Sequence, residues 1–389
     1  MNLADRAANA VNRDRLLDTA FRLVSVPSRT GEAGEVADCL HEILRDDGFT
    51  VQRVEAGHVA APAVIARWPA QRPGRTLQFN GHLDVVHLPY VAPSVSDGLL
   101  RGSGSCDMKG GVAIAVEALR AVRDADALEA GLILFTANDL HEAPWGHGQQ
   151  LNELIRSGIH GDAVLIPEPL NDRLPVIGRG SATWKARIRR AGPPVHEVMR
   201  NECDPNVIAA AADLVTRLMR LDAEIGRHVD AQAGRESLFI GQIHGGEIFN
   251  QYPQECWLEG TRRWLPDGNA DRVEADLRAR IQRFADDWNV EARLEYLRIR
   301  EAFRLNLNDP LVGAFQQSFT EMVGKPLPIG PKLFVDDGNS FWGLAGVPAI
   351  THGARAGGQH TTHEWIDIDD MVRVAKLYAR VAVRFCAAA

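Results

Sequence analysis

Cysteine is scarce and unpatterned in this chain: Cys39, Cys106, Cys203, Cys256 and Cys386 are all that 389 residues contain. An odd number with no C-x-x-C pair excludes a disulfide framework and a thiolate metal cage, and suits reduced thiols. Long apolar runs are missing too. Without a stretch of about 18 apolar residues no membrane span is expected, and Met1-Asn2-Leu3-Ala4-Asp5-Arg6 has no apolar core of signal-peptide length, so the expected location is cytoplasmic. Basic residues are outnumbered, 43 Lys and Arg against 51 Asp and Glu, for a net charge of −8. With no long basic run either, the electrostatic case for nucleic acid falls away. What remains, 45 % hydrophobic and 24 % charged, is an ordinary globular composition at a length that allows two domains.

The chemistry starts at Asn80-Gly81-His82-Leu83-Asp84-Val85-Val86-His87, which follows a strand-like run, Thr76-Leu77-Gln78-Phe79. A strand that ends in a His and an Asp two residues apart sets an imidazole beside a carboxylate at a sheet rim. Neutral imidazole binds a divalent cation through one nitrogen while a carboxylate or carbonyl holds the other N–H, and Asp84 is spaced to hold His82. A lone H-x-D pair is more often a satisfied strand-end histidine, so the rest of the chain must decide.

Residues 12–26 and 33–47 have helical apolar spacing, and 49–54 and 63–68 read as strands. Arg101-Gly102-Ser103-Gly104-Ser105-Cys106-Asp107-Met108-Lys109-Gly110-Gly111 is a glycine-rich loop before a buried apolar helix. It contains neither G-x-x-x-x-G-K-[ST] nor G-x-G-x-x-G, which weighs against a phosphate cradle. Gly131 to Ala137 and Asp162 to Pro167 are further buried strands, running into Glu142 and Glu168. Strand ends of this kind converge on one crevice in open α/β sheets. From Gly178 the texture changes to a β-α-β-β-α order, a small two-layer domain inserted into the first. The expected organisation is 1–178 and 294–389 as one mixed α/β domain and 179–293 as the insertion.

The succession G-H-L-D-V-V (81–86), R-G-x-G-x-x-D-M-K-G-G (101–111), Glu142, P-E-P (167–169) and His-x-x-x-Glu (360–364) resembles the aminoacylase, acetylornithine deacetylase and carboxypeptidase G family of metallopeptidases and deacylases. The resemblance implies a mixed-sheet catalytic domain of the zinc-peptidase type with an inserted α+β, ferredoxin-like lid and dimerisation domain, hence a homodimer or higher oligomer. It implies His82 and Glu168 on one metal, Glu142 and His360 on a second, and Asp107 bridging, with Asp84 orienting His82. His and carboxylate donors suit one or two Zn²⁺, Mn²⁺ or Co²⁺ ions. His196 is similar to the family's oxyanion-stabilising His, and Asn250 and Arg263 to substrate-binding positions. Asp337, Asn339 and Arg355 are further candidates for substrate polar groups, Arg355 for a carboxylate.

One departure stands at the chemistry. The family usually carries Asp-Glu-Glu after this strand, the first Glu being the general base, whereas here Asn138-Asp139-Leu140-His141-Glu142 puts His141 in the base position. His141, or Asp139 in another register, is then the expected base. The implied function is hydrolysis of a small molecule's C–N bond by metal-bound hydroxide, as a deacylase of N-acyl amino acids or short peptides. The altered base keeps open an aminohydrolase that releases ammonia from an electron-poor aromatic amine such as 5-nitroanthranilate. A binding protein that has lost catalysis is the alternative of another class.

Overall fold

The computed structural model describes residues 2–387, and the chain divides into two compact units. One comprises the chain up to Val176, Leu305–Gly330 and the stretch from Asp336 onward; the other comprises Ile177–Arg304 and Pro331–Val335.

The first unit is built on a six-stranded mixed sheet in the order Thr50–Val54, Ala63–Pro69, Ala130–Asn138, Arg72–His82, Ala163–Ile166, Ala349–Thr351. The last four of these strands are mutually parallel, and the first two pair antiparallel. Alternation along Arg72–His82 decides what each face does. Leu77 and Phe79 point one way, and the Phe79 ring stacks on Tyr378 of the helix Ile368–Ala387 with centroids 5.4 Å apart. Gln78, Asn80 and His82 point the other way and are fully buried. The helix Lys109–Asp124 is buried on nearly every side, as its Val112 to Leu119 run requires. Gly111 lets it lie against the loop that carries Glu168, since a Cβ there would stand 2.3 Å from the Pro167 carbonyl oxygen.

The inserted unit is a four-stranded antiparallel sheet in the order Ser237–Gly245, Glu255–Trp264, Gly180–Arg189, Glu291–Arg300. Helices Val207–Ile225 and Ala270–Trp288 cover one face, closing a core that includes Trp184, Ile188, Leu214, Leu258, Ile281 and Phe284. Asn206 and Asn269 start these helices by accepting the free backbone N–H groups of the first turn. The expected border at residue 293 cuts through the strand Glu291–Arg300; because that strand completes the sheet, the unit extends to Arg304.

Candidate metal centre

Three adjacent parallel strands of the first unit, Ala130–Asn138, Arg72–His82 and Ala163–Ile166, end side by side, and each delivers donors just past or at its last residue. His82 Nε2 lies 3.1 Å from Asp107 Oδ1 and 3.4 Å from Glu168 Oε1. The other Asp107 oxygen, Oδ2, lies 3.3 Å from His360 Nε2, which is 3.2 Å from Glu142 Oε2. Asp107 thus stands between two imidazoles, each with its own second carboxylate. All five residues expected to bind metal come together.

The supports differ from the simplest expectation. His82 Nδ1 bonds to the backbone carbonyl of Asp84 at 2.9 Å, while the Asp84 carboxylate is 3.7 Å away. That carboxylate instead accepts the backbone N–H groups of His141 and Glu142, both at 3.0 Å to Oδ2. Asp84 therefore holds His82 through its main chain and the 141–142 segment through its side chain. The Asp107 loop is held likewise: Glu364 Oε2 accepts the N–H groups of Cys106 and Asp107, each at 3.1 Å. Leu140 has φ +63°, a left-handed conformation, and sits between a buried Asp139 and the donors. The turn that follows needs Gly146, where a Cβ would come 2.3 Å from the Leu140 carbonyl carbon.

Electrostatics fits a cation. Asp84, Asp107, Glu142 and Glu168 are four carboxylates in one buried cluster. Burial and the charge of Asp107 push Glu168 up to about 7, and burial raises Asp84 to about 6. Burial opposes ionisation of Asp107 as well, but hydrogen bonds from His360 and His82 outweigh it and hold this carboxyl below the usual range. Crowded carboxylates of this kind are what a divalent ion neutralises. Two sets of three donors, His82 with His141 and Glu168, and His82 with Asp107 and Glu142, have ligand atoms within 4.8 Å of one another.

His141 joins this cluster. Its ring stacks on that of His82 with centroids 4.0 Å apart and planes 8° apart, and its Nδ1 lies 2.8 Å from Asp337 Oδ1. Asp139 does not join it. Its carboxylate accepts from the N–H groups of Gly31 (2.9 Å) and Ala33 (3.1 Å) and bonds to His58 Nε2 (3.1 Å), which leaves it tying down the 31–33 turn.

The expected substrate groups divide. Asp337, 1 % exposed, bonds to His141 and to Asn80, so it supports the centre rather than facing a substrate. Asn339 is fully buried and closes a capping box with Asp336 at the start of the helix Asp337–Ala345. Arg355 is paired with Asp367 at the surface. In the inserted unit, the His196 Nε2 and Asn250 Nδ2 atoms meet at 3.2 Å. Arg263 is half-buried there, and its Nη1 has no hydrogen-bond partner among the described residues.

What sequence reasoning missed is the polar lattice behind the donors: Gln78, Asn80, Thr136 and the Glu364 clamp. A signal existed for the first two. Polar residues at 78, 80 and 82 alternate with Leu77 and Phe79, which puts three of them on one face of a buried strand.

Over residues 78–384 the chain matches Peptidase family M20/M25/M40, and it belongs to that family. Succinyl-diaminopimelate desuccinylase of Cereibacter sphaeroides is 27 % identical over 376 residues, covering 92 % of this chain and 96 % of the relative. The protein of that name from Methylobacterium radiotolerans is 27 % identical over 390 residues, covering 95 % and 96 %. Aminopeptidase PepT of Bacillus cereus has the same fold, with a TM-score of 0.80 at 22 % identity over 97 % of this chain and 99 % of that one. A dinuclear metal-binding M20 peptidase of Bacillus subtilis gives 0.69 at 15 % identity over 95 % and 97 %. The chain is a metal-dependent hydrolase that acts on C–N bonds of the amide kind, with a divalent metal as cofactor.

Proposed function

We propose that the protein is a deacylase that cleaves the amide bond of a small N-acylated amine, with His141 in place of the usual carboxylate as the group that handles the proton. The observation that carries this reading is the position of His141: stacked on His82, beside the donor cluster, with Nδ1 already engaged by Asp337. His82, Asp107, Glu142, Glu168 and His360 would hold the cation. A cation bound there lowers the pKa of water and polarises a carbonyl. The chain's own groups do the rest. Asp84 and Glu364 fix the backbone of 141–142 and 106–107, so the donors keep their spacing. His141 Nε2, the nitrogen that Asp337 leaves open, takes a proton from the attacking water and returns it to the departing amine.

Relatives named as desuccinylases support an acyl group with a free carboxylate. Arg263 is the proposed receptor for it, a half-buried guanidinium whose Nη1 lacks a partner among the described residues. In the inserted unit, the edge strand Ser237–Gly245 and the loop after it expose Phe239, Ile243, Ile248 and Phe249. Such a patch on a sheet edge supports a homodimer formed through this unit. No helix among the described residues is long and apolar enough to cross a membrane, and we keep the cytoplasm as the proposed location.

A second reading, an aminohydrolase of an electron-poor aromatic amine, is favoured by one feature: Trp145 and His87 stack at 4.0 Å with planes 8° apart, and Trp145 remains 43 % exposed. A flat ledge of this kind suits an aromatic ring. The deciding experiment supplies metal-reconstituted protein with N-succinyl and N-acetyl amines, dipeptides and nitro-substituted anilines, and assays free acid and ammonia separately. Free acid from an N-acyl amine supports the deacylase; ammonia from an aryl amine with no acid released overturns it in favour of the second reading.

A further inference from the structure

Behind His141 runs a buried chain of hydrogen bonds whose direction is set at its far end. The backbone N–H of Gly161 donates to Gln78 Oε1 at 2.9 Å, which orients the Gln78 amide and leaves its Nε2 to donate to Thr136 Oγ1 at 2.7 Å. Having accepted that bond, the Thr136 hydroxyl donates to Asn80 Oδ1 at 2.7 Å, and Asn80 Nδ2 donates to Asp337 Oδ2 at 2.8 Å. Asp337 Oδ1 then faces His141 Nδ1 at 2.8 Å. A backbone N–H cannot be turned round, so each later link can run only one way. Gln78, Thr136, Asn80 and Asp337 are all within 1 % of full burial, which keeps water from substituting for a link. Asp337 is also the first residue of the helix Asp337–Ala345, where a negative charge is favoured.

We propose that Gln78, Thr136, Asn80 and Asp337 form a positioning relay that holds the neutral His141 ring in its Nδ1–H tautomer and so keeps Nε2 as the nitrogen with the free lone pair. Asp337 is a positioning residue, since it acts through His141. The effect on turnover rests on the reading of His141 given above; the tautomer does not.

The test is an NMR measurement on metal-free protein labelled with ¹⁵N in histidine, with the His141 signals assigned by their loss in His141→Gln. Two-bond correlations distinguish the two tautomers. Wild type is expected in the Nδ1–H form. In Asp337→Asn the new carboxamide oxygen accepts from Asn80, so its NH₂ faces His141 and the ring proton moves to Nε2. An Nε2–H ring in wild type, or an unchanged tautomer in Asp337→Asn, overturns the relay. If that variant fails to fold, the wild-type spectrum still decides, because Asp337 accepts on both oxygens and an Nε2–H ring facing it would overturn the relay. With metal restored, Asp337→Asn should lose kcat by about 100-fold or more, the scale on which a wrongly held imidazole fails. KM and metal bound per chain should stay unchanged. If the tautomer responds as stated but His141→Gln turns over normally, the relay stands and the role of His141 in catalysis falls.

Discussion

Replacing His352 with Leu should make the protein less sensitive to acid, and the size of the effect follows from where the ring sits. His352 is fully buried in the first unit, with Phe315 and Phe319 edge-on to it at 5.2 and 6.0 Å between centroids. Neither ring nitrogen has a hydrogen-bond partner among the described residues. Burial, reinforced by the positive charge of Arg373 and only partly opposed by Asp370 and Asp172, lowers its pKa from 6.5 to about 3. The unfolded chain therefore takes up this proton first. Stability is complete above pH 6.5 and is lost as the pH falls from there towards 3, by about 1.4 kcal/mol per unit. Between pH 7 and pH 5 the loss comes to about 2 kcal/mol. Leu at this position cannot titrate, and it removes two unsatisfied polar atoms, so at pH 7 the exchange should be neutral or stabilising. Denaturant titrations of metal-free wild type and variant at pH 7, 6 and 5 measure the difference, in which the acid response of the shared carboxylates cancels. Parallel stability curves for the two proteins across that range would refute the argument, because they would mean that the ring is hydrogen-bonded or already charged in the folded state.

Three further outcomes follow from the site and the inserted unit. Asp84→Ala should weaken metal binding by about 10- to 100-fold, as loss of a group supporting the ligands does, because the 141–142 backbone loses its acceptor; metal titration by calorimetry reads this directly. Arg263→Ala should raise KM for N-succinyl substrates while leaving N-acetyl substrates nearly unchanged, which steady-state kinetics on the pair would show; an equal effect on both would remove Arg263 as the carboxylate receptor. Ile243→Glu with Phe249→Glu should turn a dimer into a monomer by light scattering, and a wild-type monomer at the same concentration would sink the proposed interface.

Much of the centre was legible because donors at strand ends leave a pattern in the chain. His82, Glu142 and Glu168 follow three apolar runs that could hardly be anything but buried strands, and Asp107 follows a glycine loop just ahead of a buried helix. The supports were less legible for a physical reason. Spacing alone makes Asp84 a partner for the neighbouring imidazole, because it shows that two groups are near but not which atoms meet; in the fold its carbonyl takes His82 and its carboxylate takes two N–H groups contributed by another strand end. Asp337 lies 196 residues from His141, and Glu364 lies 257 from the Asp107 N–H it accepts, separations that no local pattern encodes. Asn339 and Arg355 show the opposite difficulty. Each has ordinary local work, a helix cap and a surface ion pair, and a polar side chain in a loop reads the same whether it serves the backbone or a substrate.

The same geometry says what a carboxylate at position 141 would meet, and why it should not act there as a base. Glu in place of His141 would put a carboxylate where the imidazole now meets Asp337 Oδ1 at 2.8 Å, in a buried cluster that already contains Asp84, Asp107, Glu142 and Glu168. Two carboxylates at that separation cannot both ionise, and one would keep a proton well above its normal pKa. A group holding its proton at neutral pH cannot remove one from water. His141→Glu alone should therefore be nearly inactive. His141→Glu with Asp337→Asn removes the clash and gives the new carboxylate an amide donor, so the double variant should be more active than the single one, although Asp337→Asn alone is harmful. That reversal of sign is a coupling between two residues in contact, and a double-mutant cycle in kcat measures it. If His141→Glu by itself turns over as fast as wild type, then Asp337 does not set the chemistry of position 141, and the loop instead accepts either base without support from behind.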